Sequence, residues 1–223
     1  MEIYNNVVEF FQGGGIFMYP IAAVLAFGLA IAIERWIYLT VARARTRRVW
    51  NQVIPLIQAG KLREARNIAE RSGAALSRII DAGLSRMEHS RRREDIELAL
   101  EEGVMEVVPR IEKRTHYLAT LANIATLLGL LGTIIGLIEA FTAVSMASAT
   151  ERAGMLSASI SVAMNTTAFG LMVGIPLLLI HSMLQTKTTQ LVGYLETAAI
   201  KVLNGINARP GEAEGSEGEA VAA

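Results

Sequence analysis

Three long apolar segments interrupt an otherwise polar and charged chain. They run from about Gly14 to Ile33, from Tyr117 to Ile138, and from about Met155 to Leu184. None of them contains a formally charged residue, and the third is interrupted only by His181 near its end. Because a helix needs about 20 apolar residues to cross a bilayer, this pattern predicts three transmembrane helices.

The residues between the first and second apolar segments have the spacing of helices. Apolar positions predict one helix that ends at Gly73 as its C-cap, and a second short helix over residues 75–87. From Arg93 the helical spacing continues into the second apolar segment, which predicts one helix of about 50 residues reaching Phe141. The sequence predicts no strand of consequence and no internal repeat.

Charge is distributed unevenly around these segments, although the chain of 223 residues has a formal net charge of zero. Of its 21 Lys and Arg residues, 16 lie between Arg43 and Arg114, together with only 11 of the 21 acidic residues. Because positive charge is retained on the cytoplasmic side, we expect residues 40–115 to be cytoplasmic. The N-terminus and the Ser145–Gly154 loop are then outside. A hydrophobic content of 52% agrees with a membrane protein.

The predicted fold is an all-α integral membrane protein with the N-terminus outside and the C-terminus inside. Its helical insert is cytoplasmic, and helices 2 and 3 extend into the cytoplasm. The predicted segments are a periplasmic N-terminus (1–13), transmembrane helix 1 (14–38), a cytoplasmic helical domain (39–115), transmembrane helix 2 (116–144), a periplasmic loop (145–154), transmembrane helix 3 (155–185), a cytoplasmic helix (186–209) and a disordered acidic tail (210–223).

The motifs of several enzyme classes are missing. The chain has no HExxH, GxSxG, P-loop or GxGxxG sequence, and it has no cysteine for a disulfide, a thiolate metal site or a Cys nucleophile. Its histidines, His89, His116 and His181, are scattered along the chain. We therefore expect no enzymatic activity, no metal, no cofactor and no nucleic-acid partner.

Carboxylates are scarce in the apolar segments, where proton-conducting proteins usually need one. Glu34 lies at the end of the first segment beside Arg35, where an ion pair at the membrane interface is the favoured interpretation. Glu139 follows the second segment and is expected near the outer interface. The chain therefore offers no carboxylate of its own at the centre of the membrane.

Hydroxyl groups and small residues are plentiful instead. The third segment carries Ser157, Ser161 and Asn165 at i, i+4 spacing, and Gly132-x3-Gly136 and Gly170-x3-Gly174 are small-xxx-small pairs. A single intramembrane Thr usually bonds the carbonyl four residues earlier, and such glycines usually pack helices. Because two segments share this character, we favour a polar interface between them.

Three stretches resemble the MotA/TolQ/ExbB proton channel family, and specifically its ExbB/TolQ branch. Residues 14–20 (GGIFMYP) with the closing Glu34-Arg35 are similar to the first helix. Residues 121–138 (LANIATLLGLLGTIIGLI) resemble the strongest family signature, and residues 160–176 (ISVAMNTTAFGLMVGIP) resemble the third helix. Val162 departs from the pattern because many relatives carry a glutamate there, so a role for that glutamate is not carried over.

The resemblance implies a homopentamer in the bacterial inner membrane, surrounded by lipid. Helices 2 and 3 would line a central lumen that holds an ExbD/TolR-like single-span partner. An aspartate of that partner would carry the protons that drive mechanical work across the envelope. A TonB/TolA-like protein is a further candidate partner, and Na⁺ stays open as an alternative to H⁺.

The same resemblance assigns roles to individual residues. Thr133 and Thr167 match lumen threonines expected beside the partner's aspartate, where a hydroxyl can donate to, accept from, or hold water for a carboxyl group. Thr166 and Asn165 are placed in the same ion pathway. Separately from the resemblance, the residues predicted to pack helices are Gly129, Gly132, Gly136, Gly170, Gly174 and Pro176.

Two other functions remain open at this point. The first is a structural membrane scaffold, which would use the glycines only for packing and its basic insert to recruit a partner. The second, a polytopic membrane enzyme, is less favoured because no nucleophile–base pair or metal cluster is visible. The load that a motor would drive, whether uptake, envelope maintenance, gliding or secretion, is not specified by the sequence.

The predicted orientation can be tested by cysteine labelling of intact cells. Because the native chain has no cysteine, single cysteines at Asn5 and Ala149 should react with an impermeant maleimide, whereas those at Gly60 and Gly215 should not. Labelling at Gly60 without permeabilisation would show that the orientation is reversed.

Overall fold

A computed structural model describes residues 10–11, 13–90, 92–146, 148 and 150–207. The predicted tail 210–223 and ten of the thirteen residues of the predicted N-terminal segment 1–13 lie outside these residues. The described part is 91% helical and contains no strand, which confirms the all-α prediction. Its helices of eleven residues or more are α1 (Met18–Gln58), α2 (Leu62–Ser72), α3 (Ala75–His89), α4 (Arg93–Glu112), α5 (Thr115–Met146) and α6 (Arg152–Asn207).

Three helical stretches are long and apolar enough to cross a membrane, as the sequence predicts. They are Met18–Gln58, Arg93–Met146 and Arg152–Ile206. Only 22–28% of the residues in their most apolar windows are buried within the chain. The remaining apolar side chains must therefore contact lipid or other protein chains.

The predicted helix from Arg93 to Phe141 is not continuous. It is divided into α4 and α5 at Lys113 and Arg114, where Arg114 has a φ of 68°. Pro109 lies in the last turn of α4 and has no N–H to donate, so the helix is weakened just before the break. A positive φ is unfavourable for a residue with a Cβ atom. Arg114 is held by an ion pair in which its Nη1 atom lies 2.8 and 3.0 Å from the two carboxylate oxygens of Glu34.

The other bounds also differ from the predicted segments. The third transmembrane helix and the helix after it form one element, α6, and α1 continues well beyond residue 38 to Gln58. The predicted C-cap is confirmed, because Gly73 ends α2 with a left-handed φ of 59°. A glycine adopts this conformation without the steric cost of a Cβ atom.

The chain divides into two compact units. The apolar unit consists of Met1–Arg35 and Arg114–Leu184, and the charged unit consists of Trp36–Lys113 and Gln185–Ala223. Helices α1 and α6 contribute residues to both units.

The charged unit has its own core between α3 and α4. Glycine positions allow the two helices to interlock: a Cβ atom on Gly83 would lie 2.5 Å from Leu100, and one on Gly103 would lie 3.0 Å from the Cα atom of Ile79. The buried apolar residues of these two helices include Leu76, Ile79, Ile80, Leu84, Ile96, Leu100, Val107 and Ile111.

An arginine joins α2 to α3 in the same unit. Arg66 forms ion pairs with Glu70, with Asp81 and, at 2.7 Å, with Glu88. The hydrogen bond and positive charge from Arg66 lower the pKa of Glu88 below its ordinary value. The resulting stabilisation is present above the ordinary pKa of Glu88 and is lost as pH falls through the lowered pKa.

Candidate functional site

Helices α5 and α6 pack against each other with their backbones almost in contact. A Cβ atom on Gly170 would lie 2.7 Å from the carbonyl oxygen of Ala125 and 3.0 Å from the Cα atom of Gly129. Towards one end of the contact Gly174 faces Ala122, and towards the other Gly136 faces Ala163, so the helices run antiparallel. Small residues at each of these positions allow this close approach.

Two threonine hydroxyls meet beside the closest approach. The Oγ1 atoms of Thr133 and Thr167 contact each other across the two helices. The Thr167 hydroxyl also donates to the carbonyl oxygen of Gly129 at 2.9 Å, and the Thr133 hydroxyl lies 3.2 Å from that oxygen and 3.3 Å from the carbonyl oxygen of Ala163. Four oxygen atoms thus form one polar cluster, which we call the threonine pair site. Both threonine side chains are half-buried rather than sealed inside the chain.

The hydrogen-bond capacity of the threonine pair site is unequal for donors and acceptors. Each hydroxyl has one proton and two lone pairs, and the neighbouring carbonyl groups can only accept. The two protons are therefore used within the site, whereas lone pairs of Thr133 and Thr167 stay available. In this arrangement the site can accept a hydrogen bond from a protonated group or from water. Donation to an anion requires a hydroxyl to rotate away from its carbonyl.

Thr166 does not take part in the threonine pair site. Its hydroxyl is buried, and it lies 2.6 Å from the carbonyl oxygen of Gly14 and 3.1 Å from that of Val162. Its predicted place in the ion pathway stays a prediction, but within this chain its hydroxyl is already engaged by two carbonyl groups. Consecutive residues on a helix point about 100° apart, so Thr166 cannot share the direction of Thr167.

Asn165 and Pro176 also lie apart from the threonine pair site and from the tight helix contact. Asn165 is half-buried, and its amide forms no hydrogen bond within the described part of the chain. It precedes Thr167 by two positions, which on a helix face nearly opposite directions. Pro176 is exposed on α6 within this chain, and its predicted role in helix packing stays a prediction.

The five glycines assigned to packing all lie along the α5–α6 contact, but their surroundings differ. Gly129, Gly170 and Gly174 face backbone atoms of the opposite helix within 3.2 Å of a placed Cβ atom. Gly132 and Gly136 face side chains instead, the methyl group of Thr166 and the Cβ atom of Ala163. The first three therefore leave the least room for a side chain.

The carboxylates at the ends of the apolar segments have no contact with the threonine pair site. Glu34 has a partner that the sequence did not indicate, Arg114, which lies in the non-helical turn just before α5. Arg35, which the sequence pairs with Glu34, is buried. Glu139 is exposed on α5.

Sequence reasoning missed how the first described residues are attached to α6. Phe10 and Phe11 pack edge-on against Phe169, with ring centroids 6.3 and 5.9 Å away, and the carbonyl group of Gly14 accepts from Thr166. Of the two adjacent threonines of α6, Thr166 therefore binds the chain before α1, whereas Thr167 contacts Thr133 of α5. The phenylalanines near the N-terminus and in the third apolar segment could have suggested an aromatic contact. The sequence does not show, however, which of them meet.

The comparison with known families agrees with this architecture. Residues 71–197 match the MotA/TolQ/ExbB proton channel family. The matched range contains both members of the threonine pair site and the glycines of the α5–α6 contact. It does not include α1.

Individual relatives are similar over most of the chain. A biopolymer transport protein ExbB homologue from Methanothermobacter thermautotrophicus is 30% identical over 183 residues, which cover 82% of this chain and 64% of that protein. The ExbB-like 3 protein of Synechocystis is 29% identical over 169 residues, or 75% of this chain and 80% of its own. The ExbB protein of Pseudomonas putida is 25% identical over 164 residues, and the match covers 50% of its length. The chain thus spans about two thirds or less of two of these three relatives.

The close approach of α5 and α6 predicts an unequal response to alanine at two glycines of α6. We expect Gly170→Ala to destabilise the protein by about 1–3 kcal/mol, because its methyl group would push against fixed backbone atoms. The control is Gly193→Ala, which has no neighbouring atom within 4 Å of the new carbon and should be neutral or slightly stabilising. Thermal unfolding of both purified variants in detergent measures the difference, and equal unfolding temperatures would contradict the tight contact.

Proposed function

Because the chain belongs to the MotA/TolQ/ExbB proton channel family and is a multi-pass inner-membrane protein, we propose that it is an ExbB/TolQ-like subunit of a proton-driven motor. In this proposal five copies form a ring, and an ExbD/TolR-like single-span protein occupies the lumen. The motor converts the proton gradient into mechanical work for transport, envelope maintenance or motility. The chain acts as a channel component and not as an enzyme.

The threonine pair site is the observation that carries the proposal. The apolar segments 117–138 and 155–184 contain no Asp, Glu, Lys or Arg, so the chain has no charged group at this depth. Two half-buried threonine hydroxyls, one from α5 and one from α6, nevertheless meet at this level. Their oxygen atoms keep lone pairs that can accept further hydrogen bonds. A polar site of this kind in an apolar segment favours a role towards a titrating group supplied by a partner.

The chemistry of the site suits a carboxyl group that alternates between two protonation states. An uncompensated carboxylate in a low-dielectric lumen would cost several kcal/mol. When the partner's carboxyl group is protonated, the lone pairs of Thr133 or Thr167 can accept its hydrogen bond. When it is ionised, rotation of a hydroxyl can supply a donor, or water held by the site can do so.

The exposed faces of the apolar helices support assembly with other chains. Leu127, Leu130 and Ile134 are exposed along one side of α5, and Met164 and Met172 are exposed on α6. Asn123 is also exposed within the second apolar segment. An amide facing lipid would lack hydrogen-bond partners, so this side of α5 is better suited to a polar lumen or a neighbouring subunit.

The proposal can be tested by removing the hydroxyls without changing the shape of the side chains. Thr133→Val/Thr167→Val should reduce proton uptake by at least about tenfold, since one good hydrogen bond to a charged group is worth about 1.5–3 kcal/mol. The assay uses proteoliposomes that contain the chain and a co-purified single-span partner with one intramembrane aspartate. Proton entry is followed with an internal pH dye under an imposed potential.

Two control variants separate the hydroxyl from its position. Thr133→Ser/Thr167→Ser keeps both hydroxyls and should retain most of the flux. Thr142→Val removes a hydroxyl of α5 that bonds only the carbonyl group of Ile138 in its own helix, and it should have little effect. Normal flux in the double valine variant, at normal assembly, would reject the ion pathway and favour a structural scaffold. Flux under a sodium gradient alone would assign Na⁺ as the transported ion.

A further inference from the structure

A basic pocket lies in the charged unit between α1 and α6. It has a volume of about 520 Å³. Its basic groups are Arg43, Arg47 and Arg48 of α1 and Lys187 of α6, and no acidic residue lines it. The remaining lining residues are Leu39, Thr40, Ala44 and Asn51. A second cavity of about 380 Å³ shares Arg43, Arg47 and Asn51 and again has no acidic lining.

The positive charges of the basic pocket are not balanced within the described part of the chain. None of its four basic side chains forms an ion pair with a described carboxylate. Arg43 and Arg47 are also separated by one helical turn, where like charges repel and weaken a helix. Arg66 in the same unit is different, because it is surrounded by three carboxylates. The pocket thus has the composition of an anion site whose anion comes from outside the chain.

Aromatic groups border the pocket on the side of the first apolar segment. The Lys187 Nζ atom lies 3.1 Å from the centroid of the Trp36 ring, a cation–π contact that fixes the ammonium group at the pocket wall. Trp36 and Tyr38 are both about half exposed. Exposed Trp and Tyr residues at the end of an apolar helix are typical of the membrane–water interface.

The spacing along α1 places the basic groups at headgroup depth. Transmembrane helix 1 is predicted to extend to residue 38, and Arg43 follows by five residues, or about 8 Å along the helix, which is close to the thickness of the headgroup layer. Long Arg side chains can reach back towards the bilayer from this position. The exposed side chains of Ile37 and Val41 precede Arg43 on the same helix, where an acyl chain could pack.

We propose that the basic pocket binds the phosphate group of an anionic phospholipid from the adjoining leaflet. The guanidinium groups of Arg43 and Arg47 would bind the phosphate oxygens, and Lys187 would add a third charge from α6. Such a lipid would bridge α1 and α6 within the charged unit. This site does not depend on the proposed proton pathway, since it shares no residue with the threonine pair site.

A larger concavity of the charged unit does not suit an anion. It is a groove of about 670 Å³ between α4 and α6, lined mainly by apolar residues. Its charged groups are Glu97, Glu101 and Glu196. A third concavity, of about 580 Å³ between α2 and α3, mixes basic groups with Glu64 and Glu88. Of these three concavities, the basic pocket alone has basic lining residues and no acidic one.

Native mass spectrometry of the full-length protein can test the proposal by titration with lipids. We expect the wild type to bind phosphatidylglycerol at least about tenfold more tightly than phosphatidylcholine, given the contribution of each basic residue near an anionic surface. Arg43→Gln/Arg47→Gln/Lys187→Gln should remove that preference. Arg43→Lys/Arg47→Lys, which keeps the charge, should retain most of it. The matched control Arg63→Gln/Arg71→Gln/Arg86→Gln removes three charges elsewhere in the charged unit and should bind like the wild type.

A second measurement needs no variant and therefore does not depend on whether the triple variant folds. Hydrogen exchange of the wild type in nanodiscs should show protection of residues 39–51 with phosphatidylglycerol relative to phosphatidylcholine. Protection by inorganic phosphate or glycerol phosphate alone would assign the pocket to a soluble anion and overturn the lipid proposal. Equal binding of both lipids by the wild type, or equal loss in the triple variant and its control, would also overturn it.

Discussion

The backbone contact between α5 and α6 is the constraint on which the candidate site depends. At Gly129 and Gly170 there is no space for even one methyl group without displacement of the opposite backbone. In hydrocarbon, helices gain little from hydrophobic burial, so close packing and interhelical hydrogen bonds must hold them together. This contact brings the two threonine hydroxyls within reach of each other and of the carbonyl group of Gly129. If the two helices were farther apart, the two hydroxyls would no longer contact each other or share the carbonyl group of Gly129.

Hydroxyl groups of similar sequence context serve different purposes in this protein. Thr166 and Thr167 are adjacent, yet one fixes the chain before α1 through Gly14 and the other joins the threonine pair site. Thr126 bonds only the carbonyl group four residues earlier in its own helix. The direction in which each side chain leaves the helix decides between these roles. A cluster of hydroxyls in a sequence therefore indicates a polar region but not its members.

Basic residues show the same dependence on their surroundings. Arg66 pairs with carboxylates and joins two helices, and Arg114 pairs with Glu34 where the helix is interrupted. Arg43 and Arg47 have no such partner among the described residues and line a pocket without acids. The first two arrangements strengthen the folded chain directly. The third leaves unbalanced charge at the end of an apolar helix, where an external anion would stabilise it.

The sequence by itself determined the all-α class, the three apolar helices and the C-cap at Gly73, because these follow from the length of apolar runs and from local backbone preferences. It also indicated the residue types of the site and the glycines around it. Tertiary structure alone decided which groups meet. Glu34 and Arg114 are 80 residues apart and Thr166 and Gly14 are 152 apart, so no local pattern pairs them. The break at Lys113–Arg114 and the separation of Thr166 and Asn165 from Thr167 depend on the direction of individual side chains and on long-range partners.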